Sequence, residues 1–276
     1  MYDVRGKVVI ITGAGSGFGE RLAVRLAPKG AKLVLSDLNA EAGNRVTDSL
    51  KSKFGPVAFF VQCDVSDNKQ LKNLFVKTKE RFGTIDVVIN NAGIPETTDF
   101  FTDELDRWQR QLDINLKAVI LGTRLAIDSF TKDGKGGVIV STASLAGLYP
   151  QGQSPVYGPV KAAVVHFCRS LSALNAHGIR VNAVCPSYSP TGIQKVGRED
   201  SGPSEITKSI IGVGRDATVA PQVHPEQVID AFVHAIEDET IYGQAIRITP
   251  ERGIEVQYHG RKPPLKLKDL TDVAKL

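Results

Sequence analysis

The chain has 276 residues, 42% of them hydrophobic and 23% charged, with a formal net charge of +4. That length holds one large α/β domain or two small ones, and the composition is ordinary for a globular protein. The small net charge and the lack of a long basic run argue against nucleic acid as a partner, and no apolar segment approaches the ~18 residues of a membrane span.

The opening run "MYDVRGKVVIITG" is too short and too interrupted for a signal peptide. Cys63, Cys168 and Cys185 sit singly in apolar runs, as core thiols of a reducing compartment do. No spacing suits a structural metal, so none is expected. His166, His177, His224, His234 and His259 form no constellation; solvated or capping roles are expected of them.

In chain order, "KVVIITG" (7–13) is a continuous β-branched run, the mark of a strand buried on both faces. Residues 20–30 repeat apolar positions at helical spacing and stop on glycine. A strand follows over 31–37, a helix over 40–55, a strand over 57–65, an amphipathic helix over 69–83 and a strand over 85–93. A long, mostly buried helix is predicted over 112–130, then a strand (136–144), a helix (160–178) and a strand (179–187). Residues 190–222 break the rhythm with glycine, serine and charge and hold one weak helical patch near Ile206–Ile211; such a stretch inside a compact domain is functional or mobile. A helix over 225–238 with Pro225 at its start and a strand over 243–250 close the pattern. Strand–helix alternation implies right-handed crossovers: a single-domain, doubly wound parallel sheet of the Rossmann type with helices on both faces. The domain is expected over 1–250, with a substrate lid at about 190–222, and residues 251–276, with Pro263-Pro264, read as a surface tail.

Between the first strand and first helix lies "TGAGSGFGE" (12–20). A glycine-rich turn opening a helix lets main-chain N–H groups approach a pyrophosphate at the positive helix terminus. Its pattern is Thr12-Gly13-x-x-x-Gly17-x-Gly19, with Gly15, Ser16 and Phe18 completing the cofactor-facing turn. Asp37 closes the second strand, where a carboxylate accepts hydrogen bonds from the ribose of NAD and repels the extra phosphate of NADP. No Lys or Arg stands in the turn or just after Asp37 to rescue that phosphate, so NAD is the expected cofactor; the alternative is that Asp37 only caps the next helix. Asp64 and Val65 end the third strand, where the adenine is expected, Asn91, Ala92 and Gly93 end the fourth, and Leu38 follows Asp37, all expected cofactor-binding residues on the carboxyl edge where open α/β sheets bind ligands. "QSPVYGPVKAAV" (153–164) holds Tyr157 and Lys161 four apart, on one face of a helix. Pro159 inside the pair limits where that helix begins: Ser154 capping with Pro155 first, or a later start near Gly158.

The Gly turn, the Asn90-Asn91-Ala92-Gly93 motif, Ser144 and Tyr157-x-x-x-Lys161, in this order and spacing, resemble a short-chain dehydrogenase/reductase over about residues 5–250. The resemblance implies a catalytic set of Asn115, Ser144, Tyr157 and Lys161. Tyr157 is then general base in alcohol oxidation and acid in ketone reduction. Lys161 favours phenolate by its charge and holds the ribose, and Ser144 hydrogen-bonds the substrate oxygen. Asn115 holds a water through a local break in its helix. Cofactor contacts are carried onto Pro186, Ser189 and Thr191, with Ser187 where the family has glycine. The stretches 63–75, 144–157 and 243–260 are similar to NAD-dependent hydroxyprostaglandin dehydrogenases, which implies oxidation of a secondary alcohol on a hydrophobic, lipid-like or hydroxyacyl substrate. Gln153, Ser154 and Tyr188, beside Ser144, are its expected wall. A biosynthetic ketoreductase and a catalytically silent dinucleotide-binding scaffold stay open as alternatives. A homodimer or homotetramer on the helices 112–130 and 157–177 is also implied. The last residues, Ala274-Lys275-Leu276, vary the peroxisomal tripeptide conservatively, so the import receptor is an expected partner and the peroxisome the expected location, otherwise the cytoplasm.

Overall fold

The computed structural model describes residues 1–96, 99–103, 107–152, 154–190, 204–211 and 221–258. Eight strands form one sheet in the order β3-β2-β1-β4-β5-β6-β7-β8. They are β1 (Val8–Thr12), β2 (Lys32–Asp37), β3 (Ala58–Gln62), β4 (Val87–Asn90), β5 (Gly137–Thr142), β6 (Ile179–Pro186), β7 (Ala245–Thr249) and β8 (Gly253–Gln257). All neighbours pair parallel except β7 with β8. The doubly wound architecture expected of the sequence is the one observed.

Burial on both faces explains the continuous apolar runs. Val9 and Ile11 of β1 pack with Leu22 and Leu26 of α1 (Gly17–Leu26), Leu50 of α2 (Ala40–Phe54) and Phe232 of α8 (Pro225–Glu237). Val8 and Ile10 point the other way, to Leu71 and Leu74 of α3 (Asn68–Phe82), Phe130 of α5 (Ala118–Lys132) and Val164 of α6 (Tyr157–Ser170). The strand order reverses between β2-β1 and β4-β5, which opens a crevice at the carboxyl ends of β1 and β4.

Three elements differ from expectation. The helix expected over 112–130 starts earlier, as α4 (Trp108–Leu112), and passes through a π-helical turn at Asp113–Lys117 before α5, so the predicted break around Asn115 is present. The helix expected over 160–178 ends at Ser170 and finishes in a 3₁₀ turn, Ser172–His177. Residues 253–257, expected in the surface tail, form β8. Gly253 turns the chain at φ +66°, and Ile254 and Val256 pair with Ile248 and Ile246. An edge strand that is only half-buried reads as polar chain, which hid it. Within the irregular stretch, α7 (Glu205–Ile211) matches the predicted patch. Gln153, Thr191, His259, Pro263-Pro264 and Ala274-Lys275-Leu276 lie outside the described residues. No helix among the described residues is long and apolar enough to cross a membrane.

Candidate active site

The glycine-rich turn is held from below by side chains. Thr12 Oγ1 accepts the N–H groups of Asn91 and Ala92, at 3.0 and 3.1 Å. Asn91 Nδ2 donates to the carbonyls of Thr12 and Gly13, and its Oδ1 accepts from Thr142 Oγ1 at 3.1 Å. The Asn91 side chain ties β1, β4 and β5 together beneath the turn. Gly13 takes φ +65°, and a Cβ there would meet Ala92 Cα at 2.9 Å. A Cβ on Gly19 would lie 2.2 Å from the Gly13 carbonyl oxygen. The glycines therefore keep main-chain N–H groups accessible at the start of α1, the form of cradle a pyrophosphate fits. Gly17 opens α1, Ser16 stands at its N-cap with no side-chain capping bond, and Phe18 packs on the core.

Asp37 lies at the end of β2 against this turn. Its Oδ2 accepts the Gly15 N–H at 2.8 Å and its Oδ1 the Asn39 N–H at 2.9 Å. Asn39, not Asp37, caps α2. An acceptor-only carboxylate fixed this way suits ribose hydroxyl donors. The structure adds Arg45, whose Nη2 donates to the Gly15 carbonyl at 2.9 Å and whose guanidinium pairs with Glu20 at 2.8 Å. An arginine does reach the ribose end of the cradle, with its charge already matched. No local spacing pointed to it, because it arrives from the second turn of α2. Leu38 is exposed beside Asp37, Val65 is buried, and Asp64 Oδ1 accepts from the Ser66 N–H and hydroxyl.

The Tyr157–Lys161 pair forms the other wall. Tyr157 is the first residue of α6, so Pro159 is third in the helix, where its missing N–H costs no helical bond. Of the two expected starts, Ser154 capping or a later one near Gly158, the later is observed. The Ser154 carbonyl accepts the Gly158 N–H, while the Tyr157 N–H goes to Glu96 Oε2 at 2.9 Å. Glu96 escaped sequence reasoning because its partner is 61 residues away. Lys161 is 3% exposed, its Nζ donates to the Thr142 carbonyl at 2.8 Å, and it lies 5.7 Å from the Tyr157 ring centre. Burial brings its ammonium down to about 8. Burial pushes the Tyr157 phenol up, and a hydrogen bond with Ser144 opposes that rise. Ser144 Oγ also accepts the Ala146 N–H at 3.2 Å.

Asn115 sits in the π turn and is fully buried. Its Oδ1 accepts the Ile94 N–H at 2.9 Å and its Nδ2 donates to the Ile94 carbonyl at 2.8 Å. The side chain thus pins the loop after β4. Gly93 fills the gap between; a Cβ there would come 2.8 Å from Asn115 Oδ1 and 3.5 Å from Lys161 Nζ. Pro186 ends β6, the Ser187 N–H pairs with Ile248, Tyr188 is half-buried and Ser189 buried. Ser154 is half-buried ahead of α6. The structure thus brings Asn115, Ser144, Tyr157 and Lys161 to one crevice with the Gly turn. Cys63, Cys168 and Cys185 are free and buried, with thiols pushed by burial to about 11, 12 and 12.

A doubly wound sheet, a dinucleotide cradle at its switch point and a Tyr–Lys–Ser set with a buried lysine beside it define a dinucleotide-binding α/β protein equipped for proton transfer. The short chain dehydrogenase family model matches residues 7–202. A 15-hydroxyprostaglandin dehydrogenase (NAD(+)) of Mus musculus is 35% identical over 274 residues, 97% of this chain and 99% of that protein. A 3-ketoacyl-(acyl-carrier-protein) reductase from Brucella melitensis, complexed with NADH, is similar in structure with TM-score 0.76 at 28% identity, covering 91% of this chain and 100% of that one. A short chain dehydrogenase/reductase from Burkholderia phymatum in complex with NAD gives TM-score 0.75 at 28% identity, covering 88% and 89%. The chain belongs to the short-chain dehydrogenase family.

Proposed function

We propose that this protein interconverts a secondary alcohol and a ketone on a hydrophobic small molecule, lipid-like or hydroxyacyl, with Tyr157 as the general acid and base. It is an NAD(H)-dependent dehydrogenase/reductase acting on CH–OH groups: a 15-hydroxyprostaglandin dehydrogenase relative is NAD(+)-dependent, two similar structures hold NADH or NAD, and the Asp37 carboxylate would suit a ribose hydroxyl of NAD and repel the extra phosphate of NADP. The observation that carries the reading is Tyr157 at the start of α6 with the Lys161 ammonium buried 5.7 Å from its ring centre.

The turn from Gly13 to Gly19 would hold the pyrophosphate, Asp37 the adenosine ribose, and Lys161 the second ribose. Bound there, NAD supplies a hydride acceptor and NADH a hydride donor. In oxidation, Tyr157 Oη takes the proton of the alcohol oxygen while Ser144 Oγ donates a hydrogen bond to that oxygen. In reduction, the protonated phenol, already favoured by burial, returns the proton. Lys161 keeps most of its charge near neutrality, since its ammonium titrates at about 8, and that charge favours phenolate when oxidation needs it. Asn115 fixes the loop carrying Gly93 against both residues.

The similarity to a 15-hydroxyprostaglandin dehydrogenase supports a lipid-like substrate. A homodimer or homotetramer on α5 and α6 belongs to the same reading; Ile120 on α5 is 41% exposed. Light scattering of the purified protein reads that state. The test of function is NADH formation from NAD with a panel of secondary alcohols, fatty hydroxyacids and hydroxyacyl thioesters. Turnover of a hydroxyl-bearing lipid supports the reading, and failure with every member contradicts it.

A further inference from the structure

Two carboxylates in the loop that leaves β4 each hold the start of a different helix. Glu96 Oε2 accepts the main-chain N–H of Tyr157 at 2.9 Å, at the start of α6. Glu96 is half-buried, and burial pushes its carboxyl up despite the N–H groups of Tyr157 and Val156. A negative charge there gives the phenolate chemistry of Tyr157 no electrostatic help, so its use is to place the helix. Asp99, three residues on, holds α7. Its Oδ2 accepts the Ser204 N–H at 2.7 Å, and its Oδ1 accepts the Thr207 hydroxyl at 2.9 Å and the Phe101 N–H at 3.0 Å. Ser204 Oγ accepts the Thr207 N–H at 3.2 Å and meets the Thr207 hydroxyl at 3.1 Å. One side chain thus bonds to three groups, two of them more than 100 residues away in the chain.

α7 has seven residues, too few to persist on its own, so tertiary contacts decide where it lies. Next to the Asp99 contact are large apolar side chains left to solvent. Phe100 and Phe101 pack edge to face with ring centres 5.4 Å apart and are 44% and 40% exposed, and Ile206 is 53% exposed. Apolar side chains flanking a polar latch, three residues from the clamp on Tyr157, form a rim suited to an extended apolar chain.

We infer that Asp99 and Glu96 are a pair of positioning residues: Asp99 seats α7 so that its rim grips the apolar portion of the substrate, and Glu96 sets the catalytic helix that meets the reacting end. This rests on the alcohol dehydrogenase reading above and extends it to substrates with a long apolar arm. The division of labour is specific. Asp99 acts on how tightly a long alcohol binds, and Glu96 on the placement of Tyr157 Oη, hence on kcat.

The experiment compares Asp99→Ala, Asp99→Asn, Glu96→Ala and Glu96→Gln in the full chain, using a long-chain and a short-chain secondary alcohol with saturating NAD. Asp99→Ala raises KM for the long alcohol by roughly ten-fold, the order of one lost helix cap, and raises it far less for the short one. Asp99→Asn, which keeps one of the two acceptor oxygens, recovers part of that loss. Glu96→Ala lowers kcat for both alcohols alike, and Glu96→Gln restores it. Backbone amide exchange over 204–211, read without substrate, speeds up in Asp99→Ala and less in Asp99→Asn. Equal KM changes for both alcohols, or amide exchange unmoved in Asp99→Ala, overturns the assignment. Because exchange needs no turnover, a protein that oxidised neither alcohol would sink the activity while exchange still judged the seating of α7.

Discussion

Replacing Gly19 with alanine adds a single methyl group at the third residue of α1. The helix itself favours the change, since alanine is better than glycine in a helix by about 1 kcal/mol. The obstacle is the turn. The new Cβ would lie 2.2 Å from the Gly13 carbonyl oxygen and 2.9 Å from Ala14 Cα, both main-chain atoms with no rotamer to change. An ordinary carbon–oxygen approach is roughly 3.3 Å, so the turn must retreat by about 1 Å. That retreat strains three bonds: Ala14 N–H to the Ser36 carbonyl (3.0 Å), Gly15 N–H to Asp37 Oδ2 (2.8 Å) and Asn91 Nδ2 to the Gly13 carbonyl (3.2 Å). At about 1 kcal/mol each, less the helical gain, the net loss is about 2 kcal/mol of stability, and a turn displaced by about 1 Å no longer presents its N–H groups to the pyrophosphate, which should weaken NAD by roughly ten-fold or more. Titration of NADH fluorescence measures it, with the melting temperature as a control for folding. An affinity within about two-fold of the parent would refute the cradle assignment.

The cofactor preference turns on Asp37: Asp37→Ala should weaken NAD by roughly ten-fold or more and raise the NADP-to-NAD ratio of kcat/KM, since a charged acceptor is lost and a repelling charge removed. A parent enzyme that used NADP as well as NAD would contradict that. Arg180 is 5% exposed, and its guanidinium caps α8 through the carbonyls of Ala235, Ile236 and Asp238. Arg180→Met should cost about 2–4 kcal/mol in urea denaturation, and a loss below about 0.5 kcal/mol would exclude a capping role. Burial raises the Asp99 carboxyl, but the bonds from Ser204, Thr207 and Phe101 outweigh it and lower it from 3.8 to about 2. Its stabilisation is therefore complete above about 4 and lost as pH falls toward 2, at most about 1 kcal/mol because solvent screens it. Glu96 on its own loop and the Glu205–Lys208 pair on α7 are the charges nearby. The stability gap between the parent and Asp99→Asn should shrink across that window; a constant gap would rule out the carboxylate.

Much of the site was legible because its signals are local. Buried strands such as Val8–Thr12 need continuous β-branched runs, glycines must cluster where a turn meets a helix, and Tyr157 and Lys161 share a helix face. The family resemblance implies the break around Asn115, and it is a π turn. What stayed hidden acts across long separations. Glu96, Asp99 and Arg45 are ordinary acidic and basic residues until the fold delivers their partners. Asn91 sits at the expected strand end, yet the register of β1 against β4 turns its side chain to the Gly turn. β8 was missed for a different reason: its exposed edge lets Glu255 and Gln257 alternate with Ile254 and Val256.

The most direct test is steady-state oxidation of a hydrophobic secondary alcohol by NAD in the parent and in Tyr157→Phe. Loss of the one oxygen that moves the proton should lower kcat/KM by roughly 10²- to 10⁴-fold, while NADH still binds as tightly as to the parent. Turnover unchanged in Tyr157→Phe would contradict Tyr157 as the acid and base.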